Sequence, residues 1–436
     1  MKRAFLLTFF FITLLMNIDA QTPAELADIW DREHVTNIFP SNVRHRDLKK
    51  YLDDLKKLGV KIDEVGRSYA NREIYRMEFG SGPLKVFLWS QMHGDEPTAT
   101  SALIDMFTVL QKNRDKDWVK KIESAMTIRA VPMLNPDGAE FYQRRNLQGI
   151  DINRDARDLQ TPEANLLKKL RDEWSPHIGF NLHNQAALTT AGRTNKQAAI
   201  SFLVVYGDPE KTTSEGHERN KRIVSAMTAA IEPYIPGHIG RYGDEWTPTA
   251  FGDNFSAWGT PVILIETGAL HGRDEMFLVK MNFIAMMTAL KSLADGSEKT
   301  FSPAVYESLP ANSAGLVYYF IFRSATIIDR SKPEVVTTGD IAVNIDRRRA
   351  EFVTPAYVRQ IGNLSSSYGL SEFDAREYYV VSRNSASIRT GSFAELLFYK
   401  KSRVVDWRAA DLETQFPPDA VFSLGRWVKG ELVNRE

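Results

Sequence analysis

Not one of the 436 residues is a cysteine, so neither disulfide staples nor thiol chemistry is available and stability must come from a buried core. A lipid-modified cysteine behind an export signal is excluded on the same ground. Net charge is missing too: 55 basic and 55 acidic side chains cancel, and the sequence pI is near 7.1. Nothing global pulls the chain toward nucleic acid or anionic membrane, and a small-molecule or peptide substrate fits better. Long apolar runs are scarce. The one at residues 4–16 follows Lys2-Arg3, and as helix it reaches only about 20 Å against the ~30 Å of a hydrocarbon layer. That pattern predicts a secretory signal over residues 1–20, cleaved before Gln21, and not a lasting membrane span. The expected location is periplasmic or secreted.

What is present is ordinary globular material, 43% hydrophobic and 25% charged, in a chain long enough for two domains. Residues 42–58 carry Leu48, Tyr51, Leu52, Leu55 and Leu58 at helical spacing, closed by Gly59. A β-hairpin is expected over residues 60–65 and 73–79, leading into a strand that starts at Leu84. From Pro97 onward, Ala99, Ala102, Leu103, Phe107 and Leu110 form one helical stripe. Runs 125–134, 178–183, 201–206 and 261–266 are continuously apolar, alternating with helical patterns near 164–173, 219–231 and 276–293. Continuous apolarity means both faces are covered, which predicts an α/β domain with a mixed, mainly parallel central sheet between helix layers. Its expected extent is residues 21–295. Residues 295–303 read as a linker, and 304–436 as a smaller β-rich domain of unread role, with helical spacing only at 354–361. The charge run 346–349 reads as a solvated turn.

Polar residues sit at strand ends where local structure does not require them. His93 and Glu96 follow the Leu84 strand three residues apart, a spacing that lets an imidazole and a carboxylate share one metal ion. Alone, this pair is weak evidence, and it needs a distant third ligand and a general base. His183 closes one later apolar strand and Glu266 another; two ionisable groups ending buried strands are costly unless they share a site. Between them, Asn135-Pro-Asp-Gly138 is a turn signal, followed by Arg144-Arg145-Asn146 and Gly149-Ile-Asp151-Ile-Asn153-Arg154-Asp155.

Taken in this order, these elements resemble the zinc metallocarboxypeptidases of the carboxypeptidase A/B superfamily, in its exported bacterial members, over about residues 60–295. The resemblance implies one zinc ion on His93, Glu96 and His183, with a water of lowered pKa at the fourth position. It implies Glu266 as general base, Arg144 as the cation that stabilises the oxyanion, and Asn153 and Arg154 as the grip on a substrate's terminal carboxylate. A peptide with a free C-terminus is the implied partner, including stem peptides of the cell wall. Arg145 reads as a surface charge. Asp151 and Asp155 read as loop-orienting residues, with Asp155 the candidate to back a ligand. The other six histidines have no partner at ligand spacing and read as structural.

The chain departs from that family in two places. No tyrosine lies between Trp246 and Phe255, where a mobile one is expected, and Tyr242 is the nearest candidate. Asp253 falls near the position at the bottom of the side-chain pocket, where it would favour a cationic C-terminal residue; its Gly252-Asp253-Asn254 context favours a turn instead. No long inhibitory propeptide is evident after the signal. Two rival readings share the same residues: a zinc deacylase or amidase of the aspartoacylase type acting on N-acyl amino acids, and a non-catalytic module binding peptides or glycans.

Overall fold

Alternation within the apolar runs builds two packed faces on one sheet. A computed structural model describes residues 22–346 and 348–435; the signal expected over residues 1–20 lies outside them. The strands begin with β1 (Lys61–Arg67), β2 (Glu73–Gly80), β3 (Leu84–Ser90), β4 (Met126–Val131) and β5 (Ile178–Asn184). After a two-residue β6 (Thr190–Ala191) come β7 (Ile200–Val205), β8 (Ile239–Arg241) and β9 (Val262–Thr267). Among the described residues they form an eight-stranded sheet ordered β1-β2-β4-β3-β5-β9-β7-β8. Its centre, β4-β3-β5-β9, is parallel, and β2 and β7 join it antiparallel.

The helices are α1 (Pro23–Glu33), α2 (His45–Lys57), α3 (Thr98–Lys112), α4 (Asp117–Ala125), α5 (Pro136–Phe141) and α6 (Pro162–Trp174). They continue with α7 (Glu215–Ile231), α8 (Phe251–Ala257) and α9 (Glu275–Asp295). Val86 and Leu88 of β3 face the layer that contains α3, α7 and α9, whereas Phe87 and Trp89 face α6 and α8. Helix α3 is more than the stripe its spacing suggests. All of residues 98–110 are buried, because α1 and α9 cover the side that a two-layer helix would leave wet. Helix α9 is long and apolar enough to cross a membrane, but α1, α3, α4 and α7 pack around it, which makes it a core helix.

The run that composition marks as a linker is folded. Ser302 caps α10 (Pro303–Glu307), and Tyr306 accepts a hydrogen bond from the Val204 backbone N–H at 3.0 Å. Lys221 of α7 pairs with Glu307, and β10 (Asn312–Ser313) joins β6. The Ser-Pro composition that suggests a linker is here the capping chemistry of a short helix, and the first unit extends to residue 313.

The remainder is a β domain of β11 (Val317–Ile328), β12 (Val336–Ile345), β13 (Ala356–Gly362), β14 (Tyr368–Asp374) and β15 (Tyr378–Ser382), then β16 (Leu396–Lys400), a one-turn α11 (Leu412–Gln415), β17 (Ala420–Ser423) and β18 (Arg426–Lys429). Its core centres on Phe322, whose ring lies 5.1 to 5.7 Å from those of Phe373, Phe398, Phe422 and Trp427. Residues 354–361, expected as helix, form β13 instead. Ala356 and Val358 point inward at period two against β12, and only Ile361 imitates helical spacing. The charge run 346–349 is not a simple solvated turn either. Arg349 is buried and donates to the carbonyls of Ser41 (3.0 Å), Ala139 (2.5 Å) and Glu140 (2.8 Å) on the first unit.

Candidate active site

Parallel pairing places two of the polar strand ends side by side. His183 on β5 and Glu266 on β9 are register partners, so both side chains leave the sheet at its carboxyl edge, where open α/β sheets build their sites. The His93 loop leaves neighbouring β3 and is held by close backbone packing. A Cβ on Gly94 would fall 1.9 Å from the carbonyl carbon of Gly138. The Asn135-Pro-Asp-Gly run, expected as a turn, opens α5 with Asn135 as its cap: Oδ1 accepts from Gly138 N at 2.8 Å. The Asn135 amide also donates to the carbonyls of Met92 (3.2 Å) and Arg144 (3.4 Å), tying the two loops together.

His93, Glu96 and His183 are 2%, 6% and 2% exposed, and their candidate ligand atoms lie within 4.8 Å of one another. His93 Nδ1 is 2.9 Å from Glu96 Oε1, and His183 Nδ1 is 2.7 Å from Glu96 Oε2. The outer ring nitrogens face elsewhere: His93 Nε2 is 3.1 Å from Asp151 Oδ1, and His183 Nε2 is 3.5 Å from the Asn153 amide nitrogen. Two inward nitrogens and a carboxylate, one imidazole backed by a second carboxylate, are the donor set and support that zinc takes. The residues present therefore fit the metal.

Charge in the cluster is balanced locally. Burial alone would depress the His93 imidazole, but Glu96 and Asp151 outweigh it and raise it to about 9. His183 is pushed down, chiefly by burial, against the pull of Glu96. Burial would raise both carboxyls, yet the adjoining imidazoles hold Glu96, and His93 with Arg144 holds Asp151, well below the usual range.

Arg144 donates from Nε to Asp151 (2.9 Å) and from Nη1 to Glu96 (3.3 Å). Arg145 turns outward to the Gly149 carbonyl (2.9 Å). The residue backing a ligand is Asp151, not Asp155, whose carboxylate is consumed by the Gln160 and Thr161 N–H groups at 2.8 Å each. Asp151 joins His93 to Arg144, and only its place two residues before Asn153 hinted at it. Asn153 is braced by Phe251 N, which donates to its Oδ1 at 2.9 Å. Arg154 reaches the Asn153 carbonyl at 2.7 Å.

His93, Glu96, His183, Arg144, Asn153 and Arg154 line one cleft of about 430 Å³, together with Glu266, Tyr242 and Asp253. Asp253 is not a turn residue: it lies in the first turn of α8 and accepts from Thr247 N at 2.7 Å. Burial raises its carboxyl to about 6, against the opposing pull of the Thr247 N–H and Arg154. Tyr242 is raised to about 12, first by burial and then by the Glu266 and Glu96 charges.

Residues 48–226 match the zinc carboxypeptidase family. Among curated proteins similar to this chain, probable carboxypeptidase 2 of Arthroderma benhamiae is 33% identical over 114 residues, 26% of this chain and 20% of that one. Carboxypeptidase E of Caenorhabditis elegans is 30% identical over 120 residues, 22% and 25% of the two chains. The carboxypeptidase match thus spans about a fifth to a quarter of the length of these relatives. Among solved structures, a metallo-carboxypeptidase from Burkholderia cenocepacia aligns with 17% identity and a TM-score of 0.47, covering 58% of this chain and 69% of that one. One from Pseudomonas aeruginosa aligns with 16% identity and a TM-score of 0.47, covering 57% and 68%.

Proposed function

We propose that the protein is a zinc-dependent exopeptidase that hydrolyses the C-terminal peptide bond of peptides. One observation carries the reading: two buried imidazoles and a carboxylate share a centre on the same cleft as Glu266, Arg144 and Arg154. Zinc held by His93, Glu96 and His183 supplies Lewis acidity, which brings the pKa of a water toward neutrality. Glu266 takes a proton from the attacking water on its carboxylate as the C–O bond forms, then delivers it to the amine as the C–N bond breaks. Arg144, fixed by Asp151, is the cation beside the carbonyl oxygen as that oxygen gains charge. Arg154 and Asn153 hold the terminal carboxylate, which an internal peptide bond cannot offer at that distance. The Tyr242 phenol stays protonated at neutral pH and serves as a hydrogen-bond donor to bound substrate. Asp253, ionised above about pH 6, favours a lysine, arginine or other cationic C-terminal side chain. The basic-apolar start of the chain supports export to the periplasm or the medium.

Digesting a peptide library with the metal-loaded protein, read by mass spectrometry, tests the proposal: single residues are lost from C-termini, and a chelator stops the loss. Turnover of N-acyl amino acids with none of peptides would assign the site to a deacylase. Absence of any chelator-sensitive hydrolysis would leave a binding module.

A further inference from the structure

A second cleft, of about 220 Å³, begins where the catalytic one ends. The residues that follow the candidate ligands and base in sequence line it: Thr98 after Glu96, Asn184 and Gln185 after His183, and Gly268 after Glu266. Asn184 and Gln185 line both clefts, whereas Arg144, Arg154 and Asp253 line only the first. A peptide whose carboxylate is held at Arg154 must lead its chain away past the ligands, and this second cleft is the continuation. Its far wall comes from the β domain, through Tyr319, Ile345, Asp346, Arg348 and Thr354. Arg349, buried on the carbonyls at the end of α5, fixes the segment that carries Arg348.

The charges of this cleft are unevenly committed. Each carboxylate has a partner: Asp274 caps α9 at Phe277 N (2.9 Å), Glu275 accepts from Ser41 N (2.8 Å), and Asp346 accepts from Arg359 (2.9 Å). Arg273 lies 4.8 Å over the Phe277 ring. Among the described residues, neither Arg273 nor Arg348 forms an ion pair. A pair of uncommitted guanidinium groups on a substrate path is suited to a carboxylate.

We propose that the β domain is a working wall of the substrate site, and that the second cleft binds the residues upstream of the scissile bond and selects an acidic side chain there through Arg348 and Arg273. This rests on the peptidase reading. The test compares blocked tetrapeptides that differ only in Glu or Gln two residues upstream of the scissile bond. The Glu peptide is expected to have a kcat/KM higher by about fivefold, carried by KM, as suits a solvent-accessible ion pair, and the ratio shrinks in high salt. In Arg348→Ala the ratio falls toward one, and Arg348→Lys keeps most of it. Equal turnover of the two peptides, or a ratio unchanged in both Arg348→Ala and Arg273→Ala, overturns the proposal. If neither peptide is hydrolysed, the same pair labelled for fluorescence anisotropy decides. A Glu preference that requires Arg348 keeps the cleft and removes the peptidase reading, whereas no preference removes the cleft.

Discussion

Replacing Glu266 with glutamine keeps the shape of the side chain and deletes only its ability to take a proton, so metal binding and turnover come apart. Glu266→Gln is expected to retain one zinc per chain by atomic absorption and to lose about 10²–10⁴-fold in kcat; His183→Ala loses both. Asp151→Asn removes the charge behind His93 Nε2, and zinc affinity is expected to drop about 10–100-fold in chelator competition. Asp253 makes a pH signature. Its folded carboxyl, raised to about 6, is neutral below that pH and charged above it. The preference for C-terminal lysine over leucine therefore rises with pH through about 6, and Asp253→Asn flattens that profile. His93, Glu96, His183 and Glu266 were legible in the sequence because each stands at or just past the end of an apolar strand, where a charge has no local excuse. Asp151 was not, since its work is to join two side chains 51 positions apart. Asp253 was named as a pocket candidate but its helical setting was missed, because Gly-Asp-Asn serves a turn and a helix start equally well.

At the scale of elements, the meeting of the His93 loop with α5 is the tightest point of the site. Gly94→Ala would drive a methyl into the backbone at Gly138, so one of the two segments has to move. The expected cost is about 3 kcal/mol or more, read as a lower denaturant midpoint together with weakened zinc binding. The long strands and helices of the first unit were readable, because continuous apolar runs bounded by Gly, Pro and polar clusters have few other solutions. Short polar pieces were not. The strand Tyr368–Asp374 has a mostly half-buried pattern, with only Phe373 fully inside, and it is held by backbone pairing with β11, which leaves little periodic trace. The strand Ala356–Gly362 has too few apolar positions to separate a period of two from one of 3.6.

Across the whole molecule, the α/β unit and the β domain are joined by polar contacts, among them Arg349 on the α5 carbonyls and the Arg44–Glu351 ion pair. Phe322→Ala is expected to destabilise the β domain by about 3–5 kcal/mol, seen as an early tryptophan transition in denaturant while zinc stays bound. The sequence divided the chain into two units but misplaced the join, because capping residues and linker residues are the same residue types. The pairing of His183 with Glu266 across two neighbouring strands reaches further. The exposed loops between the two strands can lengthen or shorten without disturbing those two side chains, provided the hydrogen-bond ladder, including the β7 pairing at Ser201, keeps its phase. A single-residue deletion inside either strand would turn one of them to the opposite side of the sheet. Variation in lineages descended from this chain should therefore collect in the exposed loops and spare the count of residues along β5, β7 and β9.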